Sequence, residues 1–598
     1  MFQSFDTTSS PEQGPARLQA LREKMAKAGV DAFLVPRSDA HMGEYVSPRD
    51  ERLAWLTGFT GSAGFAAILQ GEAGVFVDGR YTLQVREQVD LAHFTPVGWP
   101  KTTAADWLAD RLEDGQFLAI DPWLHTSAEV EKLRDRLEPR GVTLRSGENL
   151  VDAIWDDQPE PALGKAHSQP DDLAGESSAS KRHRLGKTLA EAEQSAAVLT
   201  LPDSISWLLN IRGTDIPRNP VVQAFAVLHT SGVVDLYVDS RKLAEVTLDD
   251  DVTVHDPADF VPSLAALAGP VRVDRSTAPY ALKELLEGAG IEVAWGADPC
   301  ILPKARKNPV EIASTREAHL RDAAAMVEFL TWLEREAPDG GLTEIEVVKA
   351  LEGFRRATNA LQDISFDTIS GAGAHGAIVH YRVTEETNAP VEPGTLLLVD
   401  SGGQYVDGTT DITRTIAIGP PGVDEKRAFT RVLQGMIAIS RARWPKGLAG
   451  RDLDALARAP LWMDGRDYDH GTGHGVGVFL NVHEGPQRLA RISEVPLEPG
   501  MILSNEPGYY KEGAFGIRIE NLIVVEHAPE LPGGDDREQL CFTTLTWVPI
   551  DRRLIDVTLL SGEERAWLDA YHAEIPRLIG ARLSDAAQAW VKDACQPI

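Results

Sequence analysis

Five acidic or imidazole side chains between residues 400 and 520 have types that could together bind metal ions. They are Asp400, Asp411, His474, Glu506 and Glu520. Four carboxylates and one imidazole make an oxygen-rich donor set, which suits two divalent cations better than a single structural zinc ion. Such a set supports metal-assisted hydrolysis, so the sequence predicts a metallohydrolase.

The two aspartates are predicted to lie on a β-hairpin. Residues 395–399 form a short apolar run that ends at Asp400, and residues 411–418 alternate polar and apolar side chains like a half-buried strand. Between them, the dipeptide Asp407-Gly408 supplies a turn. We therefore expect Asp400 and Asp411 to face each other across an antiparallel pair of strands.

The two glutamates are predicted to lie on a second hairpin. Residues 501–505 lead into Glu506, a glycine-containing stretch then turns the chain, and residues 517–525 return as one strand. Because successive side chains of a strand point to opposite faces, Arg518 and Glu520 should share one face. This second hairpin would bring both glutamates to the same end of the sheet.

The imidazole ligand lies in a glycine-rich segment. Residues 470–477 have the sequence His-Gly-Thr-Gly-His-Gly-Val-Gly, in which the glycines permit close backbone approach and positive φ. We interpret the segment as a loop that lines the site. Taken alone, each of the five groups would be an ordinary surface or turn residue. Together with two further histidines, His380 and His483, they favour a functional cluster.

These segments resemble the Xaa-Pro aminopeptidases, also called aminopeptidase P. The matching segments are residues 400–415, 470–477, 481–486, 505–510 and 516–521. That family shares the pita-bread catalytic fold with prolidase, methionine aminopeptidase and creatinase. The resemblance extends more weakly over the whole chain, to the long three-domain form of the enzyme. It implies release of the N-terminal residue from short peptides that have proline at the second position.

The resemblance also implies roles for the site residues. The five metal ligands would hold two divalent ions, most often Mn(II), that activate a bridging hydroxide for attack on the peptide bond. Glu506 would also carry a proton from the water to the departing proline nitrogen. Further catalytic roles are implied for His380, His483 and His470, and contact with the substrate is implied for His380, His483, Tyr510 and Arg518.

Two of the matched positions leave alternatives open. Tyr510 offers an aromatic face for the proline ring. Arg518 could form part of the same pocket, or it could hold Glu520 or another ligand carboxylate in place. Asn505 departs from the family pattern, since many relatives have an acidic residue there, and we expect it to alter the surroundings of Glu506 without removing a ligand.

The sequence predicts an α/β (α+β) protein in which two related modules precede the catalytic domain. Residues 52–58 are similar to residues 204–210, residues 75–80 are similar to residues 236–241, and a helix-like stretch leads into a strand in each copy. A segment rich in Pro, Gly, Ser and Asp, residues 156–182, is expected to be a linker or an exposed loop. The predicted domains are residues 1–157, 158–308 and 309–598, the last with helices at 310–336 and 562–573.

Composition and charge narrow the class further. The 598 residues are 43% hydrophobic and 25% charged, as in ordinary globular proteins. A formal net charge of −31 argues against nucleic acid as a partner. The chain has three scattered cysteines and lacks a long apolar run or a leader-like start, so we expect a cytoplasmic protein without a membrane segment. Because family members of this length are often dimers, we expect a homodimer.

Two other functions are compatible with the pattern. A prolidase would cleave only Xaa-Pro dipeptides, but its usual architecture has one N-terminal module and this chain has two. A pita-bread domain can also serve as a binding module without catalysis, but such modules typically lack the metal ligands, which are all present here.

Overall fold

The structure, a computed structural model, describes the backbone of residues 1–598 and the side chains of all of them except Asp339. It contains two compact units. The C-terminal unit comprises Met1–Thr7, Asp172–Gly175 and Leu302–Ile598, and the N-terminal unit comprises Thr8–Asp171 and Glu176–Ile301. None of the described helices is both long enough and apolar enough to cross a bilayer.

The first module of the N-terminal unit is a six-stranded mixed sheet flanked by helices. Its strands β1 to β6 are Ala32–Pro36, Phe65–Leu69, Ala73–Val77, Thr95–Gly98, Phe117–Ile120 and Thr143–Ser146. Its helices α1 to α5 are Gly14–Ala28, Arg52–Thr57, Gln84–Gln88, Ala104–Ala109 and Ser127–Leu137. The strand order is β4-β3-β2-β1-β5-β6, with β1 antiparallel to β2 and parallel to β5. An apolar core lies on each face of this sheet.

The second module repeats this topology. Strands β7 to β14 are His167–Ser168, Ala196–Leu199, Ile211–Arg212, Phe225–His229, Val234–Tyr237, Val252–His255, Val271–Val273 and Val293–Trp295. Helices α7 to α10 of this module are Ser178–Glu191, Pro202–Leu209, Phe260–Leu264 and Tyr280–Gly288, whereas the short helix α6, Asp171–Ala174, falls almost entirely within the C-terminal unit. The main sheet has the order β12-β11-β10-β8-β13-β14, with β8 antiparallel to β10 and parallel to β13. The predicted pair of related α/β modules is therefore confirmed, whereas the predicted domain boundaries stay predictions.

The segment 156–182 is more ordered than its composition suggested. Helix α7 begins at Ser178, because the Ser177 side chain caps it by accepting a hydrogen bond from the Ser180 N–H. Lys181 is buried and donates to the Trp207 carbonyl at 2.8 Å. Arg182 is also buried and lies 2.6 Å from the Asp249 carboxylate. The prediction of an irregular linker up to residue 182 was wrong, since partners distant in sequence satisfy these polar side chains.

The C-terminal unit combines long helices with several antiparallel sheets. Helices α11 to α17 are Ile301–Ala305, Pro309–Glu336, Glu344–Arg356, Val423–Ser440, Gly450–Trp462, Gly562–Ile579 and Asp585–Ala594. Strands β15 to β21 are Asp363–Ile364, Ile369–Ala372, Thr395–Ser401, Gly403–Tyr405, Gly408–Thr409, Ile412–Ile418 and Arg443–Pro445. Strands β22 to β28 are Gly473–Gly475, Glu484–Leu489, Ile502–Asn505, Gly508–Lys511, Phe515–Arg518, Asn521–His527 and Gln539–Thr544. The predicted helices at 310–336 and 562–573 lie within α12 and α16.

The first predicted hairpin is present, and the second differs from the prediction. Strands β17 and β20 pair antiparallel, but Asp400 lies opposite Thr413 and Asp411 precedes the first residue of β20, so the expectation that the two aspartates face each other directly was wrong. In the second hairpin β24 pairs with β27, but the expected continuous strand 517–525 is broken. Strand β26 ends at Arg518 after pairing with β25, and β27 begins at Asn521. Glu520 therefore lies at a break between two strands.

Candidate metal and peptide site

Three of the predicted ligands converge closely. Asp411, His474 and Glu520 each offer a ligand atom, and these atoms lie within 4.8 Å of one another. The Nδ1 of His474 is 2.9 Å from the Gly475 carbonyl oxygen, so that nitrogen carries a proton and Nε2 faces the cluster. Nε2 lies 3.4 Å from Asp411 Oδ2 and 3.5 Å from Glu506 Oε1. Glu506, the fourth predicted ligand, therefore lies beside the three residues that converge.

Asp400 completes the set and is held by an arginine. It lies on β17 and is buried, and its Oδ2 accepts a hydrogen bond of 2.5 Å from Arg518 Nη2. Its Oδ1 and Glu520 Oε1 are buried oxygens without a hydrogen-bond partner among the described residues. Buried carboxylate oxygens are normally paired, so these two atoms are available to a cation.

Short hydrogen bonds orient the two glutamates. Thr413 Oγ1 donates to Glu520 Oε2 at 2.7 Å, and Ser504 Oγ donates to Glu506 Oε1 at 2.9 Å. The same Ser504 oxygen accepts a hydrogen bond from the His474 backbone N–H at 3.0 Å. Sequence reasoning gave no role to either hydroxyl group. The alternation along β20 could have indicated Thr413, because it occupies the same face as Asp411.

The segment around His474 is a short strand and not the predicted loop. Strand β22 pairs with both β23 and β24, and its register shifts between His474 and Gly475. A Cβ atom at Gly473 would overlap the Ser504 carbonyl oxygen, so close approach does require glycine there. The expected positive φ is not found at the glycines of residues 470–477 in the described backbone.

The charges of the site are those of a cation-binding cluster. Burial raises the pKa of Asp400 to about 6, despite the opposing effect of Arg518. Burial also raises the pKa of Glu506 and Glu520, and the neighbouring carboxylates add to the rise for Glu520. Burial alone would lower the pKa of His474, but Asp411 and Glu506 raise it to about 9. Protons therefore balance the carboxylates in the metal-free protein, and divalent cations would replace them.

The donor set fits divalent metal ions. It supplies four carboxylates and one imidazole nitrogen, with two buried oxygens left unpaired among the described residues. Hard, oxygen-rich sites of this kind suit Mn(II) or Mg(II) more than thiolate-seeking metals.

Arg518 joins the carboxylates to an aromatic wall. Its Nη1 donates to the Tyr510 hydroxyl at 2.6 Å, and that hydroxyl lies 2.8 Å from His470 Nε2. Burial raises the pKa of Tyr510 to about 12, so its hydroxyl keeps its proton at neutral pH. The His470 Nδ1 is 2.8 Å from the Gly471 carbonyl, which leaves Nε2 to accept the Tyr510 proton. Arg518 therefore has contacts that fit both predicted roles. It bonds Tyr510 in the predicted pocket wall, and it holds a predicted ligand carboxylate, which is that of Asp400 and not that of Glu520.

The two remaining histidines lie at the edge of this cluster. The His483 ring packs edge-to-face against the His474 ring, with centroids 4.4 Å apart. His380 follows Val379, whose carbonyl oxygen is 3.4 Å from Arg518 Nη2. All ten residues singled out from the sequence are thus in or next to one cluster.

Asn505 points away from Glu506. Its Nδ2 donates to the Met436 carbonyl at 2.9 Å and to Ser440 Oγ at 3.0 Å, both on α14. The expectation that it alters the surroundings of Glu506 was therefore wrong. Because β24 alternates its side chains, Asn505 faces the helix layer while Ser504 faces the site.

Family comparisons cover almost the whole chain. A profile of the creatinase/prolidase N-terminal domain matches residues 17–154, and a second such profile matches residues 157–311. The profile of metallopeptidase family M24 matches residues 313–527, and that of the C-terminal region of peptidase M24 matches residues 538–598. The two N-terminal modules and the domain that carries the carboxylate–histidine cluster thus each match a known family.

Individual relatives match along their full length. Aminopeptidase P1 of Lotus japonicus is 37% identical, covering 97% of this chain and 99% of that protein. A probable Xaa-Pro aminopeptidase P of Aspergillus niger is 38% identical, covering 97% of this chain and 98% of that protein.

Solved structures agree with these matches. A structure described as X-prolyl aminopeptidase from Caenorhabditis elegans, a cytosolic enzyme with a di-nuclear active site, is 34% identical. It superposes with a TM-score of 0.92 over 98% of this chain and all of that one. Dipeptidase PepE of Mycobacterium ulcerans, at 24% identity and a TM-score of 0.51 over 63% of this chain, shares the fold alone. The resemblance, the pita-bread fold and the hydrolase class are therefore confirmed: this chain belongs to the Xaa-Pro aminopeptidases of metallopeptidase family M24.

Proposed function

We propose that this chain releases the N-terminal residue from short peptides with proline at the second position, in a metal-dependent hydrolysis. The observation that carries the proposal is the convergence of one imidazole and four carboxylates beside the wall formed by Arg518, Tyr510 and His470. A full-length relationship to a di-nuclear X-prolyl aminopeptidase supports the same activity.

The proposed cofactors are two manganese(II) ions, which a hard, oxygen-rich donor set favours. The residues that would hold them are Asp400, Asp411, His474, Glu506 and Glu520. When bound, such a pair lowers the pKa of water and polarises the scissile carbonyl. The unpaired oxygens of Asp400 and Glu520 are the atoms that most need a cation, since they are buried without a described partner.

Proton transfer is assigned to Glu506. It is less buried than Glu520 and is oriented by Ser504 from one side only, which leaves its other carboxylate oxygen for a water molecule or a substrate. Burial raises its pKa, as a group that both accepts and returns a proton requires. It would accept a proton from the attacking water and donate it to the departing proline nitrogen.

Substrate contact is assigned to residues at the rim of the cluster. His380 and His483 would bind the peptide and donate to the oxygen that becomes negative during attack. An Xaa-Pro bond has no N–H, so proline must be recognised by shape. Tyr510 offers its ring for that purpose, and its hydroxyl is fixed between Arg518 and His470.

A dipeptidase activity is less consistent with the architecture. Both N-terminal modules are present, and the solved aminopeptidase structure matches this chain across both modules and the catalytic domain, with 98% of the chain covered. The dipeptidase fold match covers 63%. We retain prolidase as the outcome that a substrate comparison would reveal.

We also propose that the protein is a cytoplasmic homodimer. The C-terminal unit exposes Trp462, Met463 and Ile492, at 42%, 87% and 77% of their surface, and the guanidinium of Arg491, the residue before Ile492, lies 5.6 Å from the centroid of the Trp462 ring. Exposed apolar clusters of this kind mark interaction sites. Ile492→Glu should shift the molar mass measured by light scattering from dimer to monomer, while Leu91→Glu, at an exposed apolar position of the N-terminal unit, should not. The cytoplasmic location is supported by the relative described as cytosolic.

Proline specificity tests the proposed activity. Arginine release from Arg-Pro-Pro should exceed release from Arg-Ala-Ala by at least about tenfold in kcat/KM, since a well-formed pocket discriminates by a few kcal/mol. Equal rates for the two peptides would identify a general aminopeptidase and contradict the proposal.

A further inference from the structure

Arg414 is a buried cation outside the set of predicted site residues. It lies on β20 and is 2% exposed, and no carboxylate pairs with it among the described residues. Its hydrogen bonds go instead to neutral oxygens. The acceptors are the carbonyls of Thr413, Glu520, Val548 and Pro549, the Asn521 amide oxygen and the Tyr571 hydroxyl. Burying a guanidinium that has no carboxylate in direct hydrogen-bond contact is costly, so this arrangement needs a reason.

One nitrogen of the Arg414 guanidinium bonds the backbone of Glu520. Arg414 Nη1 donates to the Glu520 carbonyl at 2.6 Å, and the Glu520 N–H donates to the Thr413 carbonyl at 3.1 Å. Glu520 lies at the break between β26 and β27, where the regular ladder does not pair its peptide groups. A buried peptide group must find a partner, and Arg414 supplies one. The break and the guanidinium together let the Glu520 side chain point into the metal cluster.

The other terminal nitrogen of the Arg414 guanidinium bonds groups of the C-terminal region, residues 538–598. The Val548 carbonyl accepts from Arg414 at 2.7 Å, and the Tyr571 hydroxyl does so at 3.1 Å. The Tyr571 ring is stacked between Trp547 and Trp567, with centroids 5.4 and 5.3 Å away. Its hydroxyl also bonds the Val548 carbonyl at 2.8 Å. This packing fixes the positions of the acceptor groups around the Arg414 guanidinium, which we call the acceptor cage.

We propose that Arg414 is a positioning residue for the metal ligand Glu520, and that Tyr571 makes the C-terminal region part of the metal site by fixing Arg414. The chain of contacts is Tyr571 to Arg414, Arg414 to the Glu520 carbonyl, and the Glu520 carboxylate to the cluster. The proposal rests on the proposed function, because it takes Glu520 to be a metal ligand. Groups that orient metal ligands in this way typically change metal affinity when they are lost.

The test measures metal affinity directly. Tyr571→Phe removes one hydroxyl and keeps the stacked ring, so the variant should fold. Its dissociation constant for Mn(II), measured by electron paramagnetic resonance of free manganese without substrate, should rise about tenfold. Arg414→Lys should raise it further, because lysine keeps the charge but cannot reach all the acceptors. Tyr237→Phe, which removes a hydroxyl from the N-terminal unit, is the matched control and should leave manganese affinity unchanged.

Two outcomes would overturn the proposal. Tyr571→Phe could lower the melting temperature and leave manganese affinity at the wild-type value. The acceptor cage would then stabilise the fold without positioning Glu520. Alternatively, Tyr237→Phe could weaken manganese binding equally, which would show a general stability effect. Failure of the proposed function would look different: wild-type protein would bind manganese but release no amino acid from Xaa-Pro peptides.

Discussion

Arg518 and Asp400 form a buried ion pair, with 2.5 Å between Nη2 and Oδ2. The same guanidinium bonds Tyr510 at 2.6 Å, so one side chain fixes both a proposed metal ligand and the proposed wall of the substrate site. Arginine can do this because its planar fork presents several donors at fixed angles. Under the proposed function, the pair would link metal retention to substrate recognition.

Replacing Arg518 should therefore affect two properties together. Arg518→Ala leaves Asp400 buried without its partner, and loss of one member of a buried pair typically costs about 3–5 kcal/mol of stability. We expect weaker manganese binding and a higher KM for Arg-Pro-Pro. Arg518→Lys should retain more metal but not the contact with Tyr510. Isothermal titration calorimetry and steady-state kinetics would separate the effects, and unchanged values for both properties in Arg518→Ala would contradict this role.

Glu506 should be indispensable for turnover. Glu506→Gln keeps the size and the contact with Ser504 but cannot accept a proton, so kcat should fall by about 10²–10⁴-fold. Glu506→Ala also removes a proposed metal ligand and should abolish measurable hydrolysis. Metal content after dialysis distinguishes the two variants, because only the alanine variant should lose manganese. Near-wild-type turnover by either variant would refute the assigned mechanism.

A buried glutamate supports the segment that carries His380. Glu344 accepts hydrogen bonds from the Tyr381 hydroxyl at 2.9 Å, from His375 Nδ1 at 2.9 Å and from the Ala372 N–H at 2.7 Å. Tyr381 directly follows His380 in the chain. This network is therefore expected to set the position of the His380 side chain.

A double-mutant cycle tests that expectation. Tyr381→Phe should lower kcat/KM about tenfold, because a small displacement of a positioned group is costly to catalysis. In a His380→Ala background the same substitution should have no further effect, since the residue it positions is gone. Additive losses in the double variant would mean that Tyr381 acts independently of His380.

The metal-free protein should become less stable as pH rises. The folded-state pKa of Asp400 is about 6, above its ordinary value near 3.8, so its contribution is present below pH 4 and is lost as pH rises through 6. A shift of about two pKa units corresponds to about 3 kcal/mol. Asp400→Asn removes this titration. Denaturant unfolding of both proteins in EDTA should therefore show that the unfolding free energy of Asp400→Asn, taken relative to the wild type, rises by about 2 kcal/mol between pH 4.5 and pH 8. A pH-independent difference would contradict the raised pKa.

Local patterns in the sequence predicted much of the fold. The alternation in residues 411–418 gave the strand that pairs with β17, and the internal similarity of residues 52–58 and 204–210 predicted two modules that share one sheet order. These features follow from short-range periodicity and repetition, which a single sequence contains.

The break at Glu520 could not be predicted in the same way. Residues 517–525 alternate and are apolar, as one continuous strand would be, and local propensity favours that interpretation. The break is tolerated because Arg414, about a hundred residues earlier, bonds the Glu520 carbonyl. Likewise the helix from Ser178 depends on distant partners for Lys181 and Arg182. Such long-range compensation is absent from local sequence patterns.

The most direct test of the central claim compares two peptides with and without metal. Enzyme stripped with EDTA should release no arginine from Arg-Pro-Pro, and added Mn(II) should restore release, with little action on the dipeptide Arg-Pro. Cleavage of Arg-Pro alone would identify a prolidase. Absence of cleavage of either peptide in the manganese-loaded enzyme would contradict the proposed activity and leave a binding module as the explanation.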